Sequence, residues 1–380
     1  MLGDVATSLA AAGHLVHVLT SRSGYSGESG APPPERAFKN LSAIYLWTPP
    51  ERFRMLAWIA FLLQAIAVIP LLAWERCVLL TDPPFLVTAA ILAKRGGQGR
   101  EIYWWTMDLY PESLVAHGIL SDSGAAHRLL KAVNNWSMKN LDGVLCLDRL
   151  QARRLLSYPA LCQRQADVHV ISPWDYRTIP EVSRARNRFL RRYRLENAKV
   201  ALYAGNLGQA HTFSEVLSAA RALVNRGDVS WKIVFVVRGV RRAALEREAV
   251  GMGNVLVLDY QPLDWTADLL WAADVHLITL RSGWEGIVVP SKLYGVLPTG
   301  RPVLFIGPAD CGTAQRIRAD GEGEILPPGS TGAAVTEALL RLGSRRANPR
   351  ALVGREEVAR LAEIVVRGGV REKFKILQER

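Results

Sequence analysis

Cysteine is scarce in this chain of 380 residues, with only Cys77, Cys146, Cys162 and Cys311. They lie far apart and form no Cys-x-x-Cys pair. That argues against a zinc site or a disulfide framework, and it suits a reducing cytoplasm. Negative charge is also in short supply: 35 Asp and Glu against 47 Lys and Arg leave a net charge of +12. Such an excess suits nucleic acid, an anionic membrane face or phosphorylated substrates. No helix-turn-helix, zinc finger or other nucleic-acid module is visible, so a nucleic-acid partner is not expected. The first residues are helical in pattern and lack a basic stretch followed by an apolar core, so they do not read as a signal peptide.

What is present is the composition of a folded protein, 49% apolar and 22% charged. The length suits two domains. The first half reads as one α/β unit. A helix over 2–12 stops at Gly13, and a strand follows at 14–20. Further short apolar runs lie at 77–80, 101–105, 143–147 and 167–171, and a Gly/Pro/Ser-rich loop at 24–35. The second half alternates more clearly. Strands are expected at 199–204, 232–237, 255–258, 275–280 and 303–306. Helices are expected at 213–225, 241–250, 263–272, 291–297 and 313–320. This alternation predicts a doubly wound parallel sheet. The fold class is therefore α/β, with two Rossmann-like domains at residues 1–180 and 181–348 facing a cleft. A hinge is expected within 173–197, and a helical tail at 349–380.

Two features disturb that picture. A doubly wound domain starts with a central strand and a Gly-rich turn, whereas residue 1 already falls at the following helix. The first domain thus reads as lacking its first strand. Residues 55–74 are almost wholly apolar, close to the length that spans a bilayer. Strand candidates on both sides favour a buried helix over an interfacial one, and both over a spanning one. Arginine clusters at 184–188 and 191–194 read either as a solvated linker or as a surface for acidic lipids.

The segment 283–302 carries the most chemistry. It runs from a strand through a Gly-containing loop into a helix near Pro290-Ser291, then turns at Thr299-Gly300 into the next strand. A helix start offers unpaired N–H groups and a positive dipole end. Ser291 is placed to cap the helix, and Lys292 adds a full charge where the dipole alone would disfavour it. An anionic ligand explains that arrangement.

The phrase Glu285-Gly286, Val289-Pro290-Ser291-Lys292-Leu293-Tyr294-Gly295 and Gly300-Arg301-Pro302 resembles the donor-binding segment of bacterial family 4 glycosyltransferases. The nearest branch builds colanic acid, O-antigen or capsule. Further pieces follow in the family's order: 20–25, 81–84, 107–112, 203–208 with His211, and 273–277. Their joint order over roughly residues 1–345 makes the likeness specific. The resemblance implies the GT-B architecture and retaining, metal-independent transfer of a hexose. The donor would be a nucleotide diphosphate sugar and the acceptor a glycan, often one carried on a polyprenyl lipid. It implies no cofactor. It also implies a cytoplasmic enzyme, with peripheral contact at the inner membrane face.

The resemblance gives donor roles to Gly205, Asn206, Gly208, His211, Gly286, Pro290, Ser291, Lys292 and Tyr294; Arg241, with Arg242, follows the strand at 232–237 and is placed either to face the donor pyrophosphate or, more commonly for such arginines, to lie at the surface. Lys292 would neutralise the leaving diphosphate, and Glu285 would hold sugar hydroxyls. In the first domain Asp82 and Asp108 each follow an apolar run, so either would face the acceptor hydroxyl, with Glu112 beside Asp108. Their structural alternative is helix capping. His14 and His17 lie in a strand pattern and read as packing residues. The chain also departs from the family. Many members carry a second glutamate after Glu285, and here that position holds Gly295. Arg238 stands where relatives tend to have glycine, and Cys311-Gly312-Thr313 replaces their Gly and Glu. Two other readings therefore stay open: a nucleotide-sugar epimerase of the same fold, and a non-catalytic binding copy.

Overall fold

The computed structural model describes the chain except residues 22–37, 51–52, 95–99, 176–178, 322, 350–354 and 368–380. The expected Gly/Pro/Ser-rich loop and Arg52 lie outside the described residues. The chain forms two compact units, Met1–Pro173 with Gly354–Arg380, and Trp174–Val353.

The second unit holds one parallel sheet of six strands: β7 (Lys199–Asn206), β8 (Trp231–Arg238), β9 (Val255–Leu258), β10 (Val275–Thr279), β11 (Val303–Ile306) and β12 (Gly323–Leu326). Their spatial order is β12-β11-β10-β7-β8-β9, the doubly wound order. Side-chain alternation builds its two cores. From β8, Trp231, Ile233, Phe235 and Val237 enter one cluster, and Val234 and Val236 enter the other. β7 does the same with Ala201 and Tyr203 against Val200 and Leu202. Helices on both faces cover the clusters, so the strands are apolar on both sides. β7 and β8 stay paired over eight positions, but β7 and β10 over only two, Val275 with Ala201 and His276 with Leu202. The strands therefore part toward their carboxyl ends, where such sheets bind ligands.

The first unit is divided. β1 (Val16–Ser21) pairs with β2 (Leu41–Leu46), and β3 (Arg76–Leu80), β4 (Glu101–Trp105), β5 (Gly143–Cys146) and β6 (Val168–Val170) form a separate sheet. α1 (Leu2–Ala11) precedes β1, and the helix Arg355–Arg367 packs on α1 and β3. None of the six β1 residues is fully buried, and of β3 only Leu79 is.

The apolar run 55–74 is not one buried helix. It forms α2 (Arg54–Val68) and a 3-10 turn, Ile69–Leu71. Ala65 and Ile69 join the core, while Met55, Leu63 and Leu71 are 72%, 64% and 82% exposed. Gln64 interrupts the run because it bonds both backbone groups of Trp47. Among the described residues no helix is long and apolar enough to cross a membrane.

The arginine clusters divide: Arg186, Arg191, Arg192 and Arg194 are exposed, as the solvated reading expects, whereas two arginines of the first cluster are tied down. Arg184 donates to the carbonyls of Leu195, Glu196 and Ala198 and pairs with Asp274. Arg188 pairs with Asp264 and Asp268. Both therefore brace the second unit. β2 and β12 were not anticipated. β12 is short and opens with Gly323 and Glu324, which dilute the apolar signal. His14 is exposed rather than packed, because it sits in the turn before β1; His17 bonds Ser42 of β2 across 2.7 Å.

Candidate functional site

The site is built at the parted carboxyl ends of β7 and β10. Lys292 begins the helix Lys292–Val296 and reaches back over the end of β7. Its Nζ donates to the carbonyl of Asn206 at 2.8 Å and to the Tyr203 hydroxyl, and it lies 3.2 Å from His211 Nε2. The ammonium also sits 4.1 Å above the centre of the Tyr203 ring. All these partners are neutral. Burial pushes the Lys292 pKa well below its usual value, with no carboxylate pulling it back. The Lys292 side chain is half-buried, and an ammonium held there by neutral acceptors without a counter-ion invites an anion.

The histidine is fixed by its other nitrogen. Nδ1 lies 2.6 Å from the Thr279 carbonyl, which can only accept, so Nδ1 carries the proton. Nε2 is then a lone-pair acceptor aimed at Lys292. Burial, and next the charge of Lys292, push the His211 pKa down to about 3, so the ring is neutral at physiological pH.

Glycines let the chain pass closely here. Gly205 has φ +130, and a Cβ on it would come 2.7 Å from Lys292 Cε. Gly239 has φ +117, and its Cβ would meet Asn206 Oδ1 at 2.4 Å. Any side chain at Gly205 would displace the lysine stem.

Two arginines add charge around the loop after β7. Arg241 donates to the His211 carbonyl and stacks 4.7 Å above Phe213. Burial and then the nearby Arg281 lower its pKa. Arg281 donates to the Gln209 carbonyl at 3.2 Å. Glu215 lies near but is already used. Burial alone would raise its pKa, but bonds from Thr212, the Gly329 amide and Ser214 more than reverse that. The net effect is a concentration of positive charge at the end of one sheet.

The sequence-derived residues therefore divide. Gly205, Asn206, His211, Arg241 and Lys292 come together in one network, and the Gly208 carbonyl accepts from the His211 amide at 3.1 Å. Glu285 and Gly286 form the turn just after β10, with Gly286 at φ +69. Pro290 is buried and accepts from the Leu293 amide, and Tyr294 is buried in the helix. Ser291 holds the cap position, but its side chain makes no capping bond, because its backbone is already helical. That helix has only five residues, so its dipole is small, and the charge of Lys292 carries the anion argument instead. Arg238, opposite Asn206 in the ladder, stacks on Tyr260 at 4.6 Å. Tyr203 and Thr279 are central to the site yet read as ordinary strand residues. The one signal was Tyr203 opening the resembling piece 203–208, two residues before Gly205.

In the first unit, Asp82 and Asp108 are exposed at the carboxyl ends of β3 and β4. The Thr81 hydroxyl joins these ends by accepting from the Met107 and Asp108 amides at 3.0 and 3.2 Å. Neither aspartate caps a helix; those positions fall to Phe85 and Pro111. Glu112 is tied to its own neighbours: Tyr158 donates to it at 2.6 Å and Lys131 stands 3.9 Å away. Among the described residues no cluster of His, Cys, Asp or Glu could hold a metal ion.

Known proteins can now be set beside this geometry. No protein-family model matches the chain. Over 229 residues it is 25% identical to a probable glycosyltransferase, WbjE, of Pseudomonas aeruginosa, covering 58% of this chain and 54% of that protein. Over 107 residues it is 33% identical to a putative colanic acid biosynthesis glycosyl transferase, WcaI, of Escherichia coli K12, covering 28% and 26%. The matches thus span about half of the first relative and about a quarter of the second. The crystal structure of WaaG, a glycosyltransferase involved in lipopolysaccharide biosynthesis, superposes with a TM-score of 0.63 at 17% identity, covering 95% of this chain and 94% of that one. The chain is similar in part of its sequence to two bacterial glycosyltransferases and in its fold to a third. That fold is GT-B, with Lys292 of the resembling phrase at the heart of the charged site.

Proposed function

We propose that this chain is a glycosyltransferase that moves a hexose from a nucleotide diphosphate sugar to a surface-polysaccharide acceptor, with retention and without a metal. The observation that carries the reading is the Lys292 ammonium enclosed by neutral acceptors. A diphosphate oxygen would take one of these N–H bonds and supply the missing negative charge. During transfer the bond from the anomeric carbon to the diphosphate breaks as the acceptor oxygen bonds to that carbon. The acceptor's proton passes to the departing diphosphate or to a carboxylate. Lys292, helped by Arg241, stabilises the charge that develops on the leaving group. Glu285 would bind sugar hydroxyls, and Asp82 and Asp108 would orient the acceptor.

The chain would act in the cytoplasm. The exposed face of α2, with Met55, Leu56, Ile59 and Leu63 at near-helical spacing, suits peripheral contact with a membrane that carries a lipid-linked acceptor. Flotation of the pure chain with anionic vesicles tests this, and Leu63→Ser should reduce it.

The donor reading is tested by thermal stability against a panel of nucleotide diphosphates and their sugars. A shift selective for one nucleotide and lost in Lys292→Ala supports the site, and no shift with any nucleotide overturns it. Turnover that survives chelation supports metal independence. Release of nucleotide diphosphate with no glycosylated product would favour the epimerase instead.

A further inference from the structure

The loop that follows β10 carries a cation to which the transfer reaction gives no role. Elsewhere in the second unit arginines stand against carboxylates: Arg184 pairs with Asp274, Arg188 with Asp268 and Arg316 with Asp320. At the charged site the pattern reverses. Among the described residues, Lys292, Arg241 and Arg281 have no carboxylate within ion-pair distance; their hydrogen bonds go to neutral groups. Glu215 and Glu248 act on Arg241 only from farther away, and Glu215 is already held by Thr212, Ser214 and the Gly329 amide. Two guanidinium groups therefore repel each other here. Next to burial, Arg281 is the largest influence lowering the Arg241 pKa.

Arg281 is fixed in place and still open. Its amide donates to the Ala210 carbonyl at 2.8 Å and its Nη1 to the Gln209 carbonyl at 3.2 Å, so two bonds lace this loop to the one after β7. The residue is exposed, and among the described residues its side chain makes no other hydrogen bond. The rest of the guanidinium fork is available to a planar anion. Four residues on, the same loop brings Glu285, which the proposed reaction sets at the sugar. In that reaction Lys292 and Arg241 face the diphosphate, one cation for each of its two ionised phosphates. Arg281 is left over.

We propose that Arg281 binds a carboxylate on the transferred sugar, so that the donor is a nucleotide diphosphate hexuronic acid. The inference rests on the donor reading above and narrows it. A sugar carboxylate is ionised at neutral pH. It meets a guanidinium in a two-bond fork, which the neutral hydroxymethyl group of a hexose cannot do. A uronate donor gives each of the three cations its own anion, whereas a neutral donor leaves Arg281 beside Arg241 without one. Because Arg281 stays in contact with water, the preference is modest, about 10-fold.

Calorimetric titration of the full chain tests this. The nucleotide that the thermal panel selects is titrated free, as its hexose conjugates and as the matching hexuronic acids. For uridine these are UDP, UDP-glucose with UDP-galactose, and UDP-glucuronate with UDP-galacturonate. The best uronate should bind about 10-fold tighter than its neutral counterpart. Arg281→Gln should weaken that uronate about 10-fold and the neutral donor less than about 3-fold, while Arg281→Lys, which keeps the charge and loses the fork, should restore part of the preference. A melt of each free variant shows whether it folds, and the preference of the unaltered chain stands as a test without them. Three results would overturn the inference and leave the donor reading intact. Neutral and uronate donors could bind alike. The preference could survive in Arg281→Gln. Or Arg281→Gln could weaken the free nucleotide diphosphate as much as the uronate donor, which would make Arg281 a third cation for the leaving diphosphate. No shift anywhere in the thermal panel would overturn both readings.

Discussion

The two units can be compared at one topological position, the place where strand order reverses. In the second unit β7 fills it. β7 pairs with β8 over eight positions, is buried on both faces, and ends in the Gly205-Asn206 turn that meets Lys292. In the first unit the same position is a cavity, flanked by β1 and β3, whose residues are mostly half-buried. The contrast teaches that the first strand of a doubly wound unit does two jobs. It supplies hydrogen bonds to both neighbours, and its end presents the loop that approaches a ligand. The second unit does both, and its charged site lies at that strand's end. The first unit offers Asp82 and Asp108 from the flanking strands instead.

Four perturbations act differently on the two units. The largest effect is expected from Lys292→Ala, which should weaken nucleotide diphosphate binding about 10- to 100-fold, the range for losing a charge-assisted bond. The unfolding of the free chain should hardly change, since the buried ammonium is itself costly; calorimetric titration with a thermal melt checks both. Next, Gly205→Val should displace the lysine stem and force a β-branched residue to φ +130, costing about 1–3 kcal/mol of stability along with the binding. Denaturant unfolding monitored in the second unit would read that cost, and an unchanged midpoint would show that the turn is not as tight as described.

The third effect is acid lability. His211 and His276 of the second unit are both pushed down to about 3 by burial, so the folded state resists protons that the unfolded chain accepts near pH 6.5. Their effect on stability is absent above about pH 6.5 and grows as pH falls toward 3, so the second unit should lose stability through that window. His276→Gln should flatten the slope, and an unchanged slope would place the sensitivity elsewhere. The smallest effect is on the α2 face, where Leu63→Ser should alter stability by no more than about 0.5 kcal/mol while reducing vesicle flotation.

The sequence made some of this legible and hid the rest for physical reasons. β9 and β11 were placed to the residue, because both are continuous apolar runs between turns. β12 escaped because Gly323 and Glu324 dilute its apolar run, whereas β2 is apolar throughout except Ser42 and nothing in its composition hides it. Lys292, His211 and Gly205 could be named from the resembling phrases. The tautomer of His211 could not, since it depends on a carbonyl 68 residues away. Tyr203 was hidden because its ring serves the core while its hydroxyl serves the site. Glu112 looked like a free carboxylate until Tyr158, 46 residues later, was found bonded to it.

The short pairing of β7 and β10 has a mechanical consequence. Two paired positions at the amino end, followed by divergence, make the seam a fork, and the Lys292–His211 pair is a stitch across its prongs, with Lys292 bonding Asn206 of β7 and His211 bonding Thr279 of β10. A ligand that takes the lysine's N–H bonds unpicks that stitch while filling the gap it spanned. Occupancy would then alter the stiffness of the fork and leave the sheet around it unchanged.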